Sequence, residues 1–354
     1  GFSKFFSDLM GDNDQPSREQ QLAALKRIDE MSEKLQKDGQ PMDALQCMEK
    51  SLILRGHVFG LESDEVYNAC RSVGEMCNYL AMTYLQQDDF DVTLELLKKA
   101  EVLSERHKVV RAVTYNNMGC YFRKRGKQRT ALSYVRKALK IESKLSQAAR
   151  SADTHLNMCT ILSELQRNDQ AIVHARTALK LLLLELFGPN GYANQGGDDE
   201  GDEGPAQNDG QMEPPKLPPD RVAVLAIAYH NLAVQQEFLR MFKASLTSYE
   251  KACKVVTTHL EKDHPLVKSL TESFQQAQEK LQEKIARKEE IALRTSTKAL
   301  KGGRMNAKQI PPPPLTNKEL KLLSNFNGLD LTQDVELSDN EDSKAGDDCE
   351  ESQS

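Results

Sequence analysis

A small residue returns in this chain at a nearly constant interval, and that recurrence limits the available folds more than any other feature. Ser32, Ala81, Gly119, Cys159 and Ala233 stand 49, 38, 40 and 74 positions apart. Around each, apolar residues keep helical spacing on both sides of a turn. The clearest copy is Tyr115–Leu139. Tyr115, Met118, Gly119 and Phe122 share one face of a first helix, Gly126 marks the turn, and Ala131, Val135 and Ala138 share one face of a second. Gly119 and Ala131 are small enough to let two helix backbones approach closely. One hairpin cannot bury its stripe alone, so it needs stacked neighbours.

Four more copies align with it. Arg27–Leu52 carries Ile28, Met31, Ser32 and Leu35, then Gly39, then Ala44, Met48 and Ser51. Cys77–Ala100 carries Leu80, Ala81 and Tyr84, then Phe90, Thr93, Leu97 and Ala100. His155–Ala178 and Tyr229–Ala252 repeat the pattern through Met158, Cys159, Leu162 and Ala171, and through Leu232, Ala233, Ser245 and Tyr249. The long last interval contains residues 188–220, 33 residues rich in Gly, Pro, Asp and Glu; removing them from 74 leaves 41, an ordinary interval. Such a composition cannot offset the entropy of ordering it, so a disordered insert is expected. From Pro265, apolar residues at Val267, Leu270, Phe274, Ala277, Leu281 and Ile285 predict a long helix. Its first part is expected to cap the last hairpin, and the charged run beyond Lys284 to project as a solvated helix or pair with a partner helix. Gly302–Gly303 and Pro311–Pro314 end it, followed by an acidic tail expected to be disordered apart from a short amphipathic helix over residues 318–326. The expected organisation is an N-terminal segment (1–17), four hairpins (18–187), the acidic insert (188–220), a fifth hairpin (221–263), the capping helix (264–300) and a Pro-rich linker with acidic tail (301–354).

These residues resemble tetratricopeptide repeats. The family pattern asks for a bulky residue, then Leu-Gly or Leu-Ala three positions on, an aromatic or aliphatic residue three further, and Ala at two contact points of the second helix. Tyr115, Met118–Gly119, Phe122, Ala131 and Ala138 match it. The proline that usually closes the second helix is absent, Ser143 standing in its place, and the repeats are longer than the typical one. The long period and the linkers at 57–66, 186–189 and 259–267 are similar to those of kinesin light chains and nephrocystin-like proteins. The resemblance implies an all-α, right-handed α-solenoid of about five repeats. It also implies a concave face where Asn117, Asn157 and Asn231, with Asn116 beside them, hydrogen-bond the backbone of a bound peptide. A side-chain amide offers the donor and acceptor this needs; bracing of neighbouring helices is the alternative role. The carboxylate clamp that grips chaperone tails in this family is disfavoured, because Asn116, Ile227 and Asn231 occupy its basic positions.

Enzymatic chemistry finds no motif. Gly119–Lys127 has six residues between its glycines instead of the four of a phosphate loop, and Gln128 replaces the metal-binding hydroxyl. No H-E-x-x-H, G-x-S-x-G or dinucleotide fingerprint occurs, and His155 and His230 fall at packing positions. Seven scattered cysteines include no C-x-x-C, so neither a metal site nor a cofactor is expected. The longest aliphatic run, Leu181–Leu184, stops at Glu185, far too short for a membrane span. The opening GFSKFFSDLMGDND lacks a signal-peptide core, which favours the cytoplasm.

Charge is uneven. The net charge is −6, yet Arg123–Lys144 holds nine Lys and Arg against one Glu. Arg123, Lys124, Arg125, Lys127, Arg129, Arg136, Lys137 and Lys140 form a basic patch that reads as a solvated face, as a dock for acidic partners such as tubulin tails, or as a dock for the chain's own acidic segments. The acidity of the whole chain disfavours nucleic acid. Ser338, followed by Asp339, Asn340 and Glu341, is a candidate phosphosite whose charge would strengthen a tail–patch contact. The expected function is a non-catalytic scaffold binding a protein segment in the groove, with neither small-molecule substrate nor membrane. The light-chain resemblance implies a cytoskeletal, motor or ciliary setting; a soluble adaptor gated by its acidic tail is the alternative.

Overall fold

All five hairpins close with the same backbone bond. In the computed structural model, which describes residues 17–145, 151–194 and 217–301, the amide after each turn donates to the carbonyl five residues earlier. The pairs are Gln40 to Leu35 (2.8 Å), Asp89 to Tyr84 (3.0 Å), Lys127 to Phe122 (2.8 Å), Arg167 to Leu162 (2.9 Å) and Met241 to Gln236 (2.8 Å). Such a bond needs left-handed backbone at the preceding residue. Glycine supplies it at Gly39 and Gly126, with φ of 73° and 74°, whereas Asp88, Gln166 and Arg240 adopt it at 62°, 61° and 59°.

Among the described residues the regular structure is helical throughout: α1 (Arg18–Lys37), α2 (Pro41–Phe59), α3 (Asp64–Gln86), α4 (Phe90–Leu103), α5 (Lys108–Lys124), α6 (Gln128–Glu142), α7 (Ser151–Glu164), α8 (Asn168–Asn194), α9 (Pro219–Phe238), α10 (Phe242–His259) and α11 (Pro265–Lys301). The chain divides into two units after Asp198. The first contains α1 to α8 as four helical hairpins, each packed on the next, and α5 also touches α3 before it and α7 after it. This is an all-α solenoid. Starts are set locally: Ser17 forms a capping box with Gln20, Pro41 opens α2, and Ser63 and Asp89 accept from the amides of Val66 and Val92 at 3.3 and 3.1 Å.

Within each hairpin the small residues make the crossing. Residues twelve apart meet there: Ser32 Oγ donates to the Ala44 carbonyl at 3.4 Å, Thr93 Oγ1 to that of Ala81 at 3.5 Å, and Ser245 Oγ to that of Ala233 at 2.8 Å. At the third crossing no hydroxyl is present, and a Cβ added to Gly119 would run into Cγ2 of Val135. Ala44, Ala81, Ala131, Cys159, Ala171 and Ala233 are all fully buried. Met31 departs from the pattern. Its counterparts Leu80, Met118 and Met158 are buried, but Met31 is 52% exposed, because no repeat precedes α1 among the described residues to cover it.

In the second unit, α9 and α10 form the fifth hairpin and α11 lies on α10. Ala277 and Leu281 join Ala233 and Tyr249 in one apolar cluster, with Phe242, Leu246 and Phe274 around it. Glu237 accepts from Lys280 at 2.7 Å and Lys284 at 3.3 Å, and Lys243 pairs with Glu289 at 2.7 Å. Beyond that, Ile291 and Leu293 are exposed. α8 is broken at Gly188, whose φ of 68° and ψ of -179° are not helical, and a second helical stretch follows as far as Asn194. The expectations for the rest of the acidic insert, the proline run, the helix over 318–326, the acidic tail and Ser338 lie outside the described residues.

Candidate peptide groove

Asparagines tie the first helices of successive hairpins together. Asn117 on α5 donates its amide to Oδ1 of Asn78 on α3 at 3.1 Å; one period later, Asn157 on α7 donates to Oδ1 of Asn116 on α5 at 3.0 Å. Asn78 also donates to the Gly74 carbonyl at 3.0 Å and to Thr114 Oγ1 at 2.8 Å, and Thr114 donates to Val110. The geometry satisfies amides that would be costly to bury alone. Asn116, Asn117 and Asn157 are thus brought together on α5 and α7, where they brace helices. Asn231 is elsewhere, half-buried on α9 in the second unit and hydrogen-bonded to His230. Asn78 escaped the sequence reading; its place three residues before Ala81 matches that of Asn116 before Gly119, and this was the available signal.

Beside the ladder runs a trough. One part, about 670 Å³, lies between α3 and α5, and another, about 360 Å³, between α5, the end of α6 and α7. Val109, Val113 and Asn117 line both parts and make them continuous. Tyr79 (63% exposed) and Val113 (37% exposed) present apolar surface to it. Among the described residues its charged lining is acidic: Glu75 in the first part, Glu142 and Asp153 in the second.

Glu142 is the unusual member. It ends α6 buried, with Oε1 accepting from Thr154 Oγ1 at 2.9 Å and Oε2 lacking a partner among the described residues. Burial, reinforced by the negative charge of Asp153 and opposed by the Thr154 bond, pushes its pKa up to about 7. Behind it, His155 and His174 share a hydrogen bond between Nδ1 atoms 2.8 Å apart. Burial pushes both down, to about 3 for His155, with His174 adding, and to about 4 for His174, with Arg136 adding. Both rings are neutral and structural. Burial likewise raises the Cys77 and Cys159 thiols to about 12, leaving them unreactive at neutral pH.

The basic residues do not line the trough. Arg123 pairs with Glu164 at 3.0 Å and Lys124 with Asp88 at 2.6 Å while also donating to the Leu85 carbonyl, so both tie hairpins together. Arg125 lies over the Phe90 ring and Lys137 over Tyr134. Lys127, Arg129, Arg136 and Lys140 are exposed along the turn and α6. Charge and groove therefore occupy different sides of the same hairpin.

That hairpin carries a family match. A tetratricopeptide-repeat family model matches residues 111–145, nearly the whole of α5, its turn and α6. Those residues match one tetratricopeptide repeat. Among curated proteins none matches. Solved structures similar to it include BtubC (BKLC) from P. vanneervenii, 14% identical over 85% of this chain and 99% of that one, with a TM-score of 0.40. Another is the set of nearly identical tetratricopeptide-like repeats of a putative Podospora anserina kinesin light chain, 10% identical over 66% and 94%, TM-score 0.39. A third is the tetratricopeptide-repeat protein TTC0263 of Thermus thermophilus, 17% identical over 72% and 98%, TM-score 0.36. Tetratricopeptide repeats serve as protein-interaction scaffolds. No helix among the described residues is long and apolar enough to cross a membrane.

Proposed function

We propose that the chain is a non-catalytic scaffold that holds an extended segment of a protein partner in the trough along α3, α5 and α7. The carrying observation is the trough itself, an apolar floor with exposed Tyr79 and Val113 running beside a ladder of buried amides. The ladder keeps the three helices in fixed relation, so the floor is preformed and little ordering cost falls on the scaffold. Asn116 and Asn117 line it while holding their neighbours, which makes their contribution one of positioning as much as of contact.

A second surface supports a cytoskeletal setting. Lys127, Arg129 and Lys140 are exposed on the other side of the hairpin and offer an acidic segment, such as a tubulin tail, a steering field independent of the trough. One peptide array addresses both surfaces. Overlapping peptides and Glu-rich peptides are probed with the wild-type chain, with Val113→Glu, and with Lys127→Glu/Arg129→Glu/Lys140→Glu, after circular dichroism establishes equal helicity. Trough ligands are expected to lose about tenfold or more on V113E and nothing on the triple variant, and Glu-rich peptides the reverse. Ligands indifferent to V113E would refute the groove; Glu-rich peptides indifferent to the triple variant would refute the second surface.

A further inference from the structure

The second helices of the five hairpins begin with different charges. Asp43, Asp91 and Asp169 put a carboxylate in the first turns of α2, α4 and α8, where it meets the positive end of the helix dipole. α10 has no acid there, but Lys243 at its entry pairs with Glu289 at 2.7 Å. α6 has neither an acid in its first turn nor a capping side chain, and Lys127 and Arg129 are exposed at its entry. Its third residue is Thr130, also exposed. Thr130 directly precedes the crossing residue Ala131, just as Asp43 precedes Ala44 in the first hairpin. The amides of Gln128, Arg129 and Thr130 come before the first helical hydrogen bond, from Ala131 to the Lys127 carbonyl at 2.9 Å, and have no partner within the helix.

We propose that Thr130 is a phosphorylation site for a kinase that recognises basic residues before its acceptor, and that the phosphate switches off the basic face of α6. The switch rests on that face being the dock for acidic segments; the modification site does not. Arg125, Lys127 and Arg129 precede Thr130 by five, three and one residues, and all three are exposed. In an extended chain residues two apart point the same way, so these cations enter one acidic kinase groove together once the first turn uncoils. An uncapped turn with cations at the positive end of the dipole uncoils at little cost. In the transfer, Thr130 Oγ1 attacks the terminal phosphorus of a nucleoside triphosphate and the bond from that phosphorus to its bridging oxygen breaks. The nucleoside diphosphate leaves, and the hydroxyl proton passes to the kinase's base. Once the turn reforms, the phosphate accepts from the orphan amides and pairs with Lys127 and Arg129. It brings a charge of about −1.5 to −2 against Lys127, Arg129 and Lys140, and so cancels most of the field they offer an acidic partner.

The test incubates the full chain with ATP and a serine/threonine kinase selective for cations three and five positions before the acceptor, and maps the product by mass spectrometry. Phosphate is expected on Thr130, absent in Thr130→Ala, with kcat/KM lowered about tenfold or more by Lys127→Ala. In the phosphorylated chain, hydrogen exchange is expected to slow in the first turn of α6, and Glu-rich peptides to bind about tenfold more weakly while trough ligands are unaffected. A free peptide of residues 121–135 is the control. If it is phosphorylated and the full chain is not, the fold withholds the hydroxyl and the proposal is overturned, as it is if neither is phosphorylated. Unchanged exchange would overturn the pairing with Lys127 and Arg129, and unchanged affinity for Glu-rich peptides would overturn the switch. If such peptides bind neither form while Thr130 is phosphorylated and exchange slows, the second surface falls and the phosphorylation site stands.

Discussion

Gly119 shows how much one side chain decides here. In an exposed helix, alanine in place of glycine stabilises by about 1 kcal/mol. At Gly119 the added methyl meets Cγ2 of the fully buried Val135 and lies 3.4 Å from the Ala131 carbonyl oxygen. Overpacking of that kind costs about 1–3 kcal/mol and exceeds the propensity gain. Gly119→Ala is therefore expected to destabilise in urea unfolding, and to do so less when Val135→Ala has removed the opposing methyl. Equal costs in both backgrounds would contradict the close approach. The small size of position 119 was legible in the sequence because its counterparts are Ser, Ala, Cys and Ala. The unpartnered oxygen of Glu142 was not legible, since it depends on where Thr154 falls across a turn between hairpins.

Among the elements, α11 closes the fifth hairpin, and an array end without a cap leaves its last apolar face in water. Leu281 is fully buried against α9 and α10. Leu281→Ala is expected to cost about 2–5 kcal/mol. Hydrogen exchange should report it as lost protection across α9, α10 and α11, and retained protection there would show that the cap contributes little. The apolar steps of α11 could be read directly. The turns could be read only in part: Gly39 and Gly126 announce themselves, but Asp88, Gln166 and Arg240 take the same left-handed backbone without glycine. At those three the packing of the two helices imposes a conformation that local preference opposes.

For the molecule as a whole, several groups couple stability to pH, and three buried ones, His155, His174 and Glu142, do so in opposing directions. His155 and His174 have folded pKa values below the ordinary 6.5, so the unfolded chain binds their protons first, and stability falls as pH drops from 6.5 toward about 4. Glu142, raised from 4.5 to about 7, acts oppositely: its contribution is fully present below 4.5 and is lost as pH rises through about 7. Between roughly pH 5 and 6 these two histidines and the glutamate together contribute a slope of about one proton, or about 1.4 kcal/mol per pH unit, rising with pH, and His230, held down by burial, adds in the same sense. E142Q removes the opposing group, so the slope is expected to steepen by about 1.4 kcal/mol per pH unit in denaturant titrations. A slope unaltered by E142Q would mean that Glu142 is ionised in the folded chain.

Sequence by itself determined the repeat. A small residue at a steady interval, flanked by helical apolar spacing, admits few solutions other than stacked hairpins, because a single hairpin cannot bury its stripe. It also singled out Asn116, Asn117 and Asn157, since an amide recurring at one helical position stands out against apolar neighbours. Only the tertiary structure decided what those amides face. Asn117 turns to Asn78, 39 residues away, and Asn157 to Asn116, 41 away, and such pairings follow from how one repeat sits on the next. The same stacking separates the basic turn from the trough and gathers Glu142, Asp153 and Thr154 from different helices at one end of it. Spacing along the chain specifies which face of a helix a residue occupies, while the neighbour on that face is set by packing.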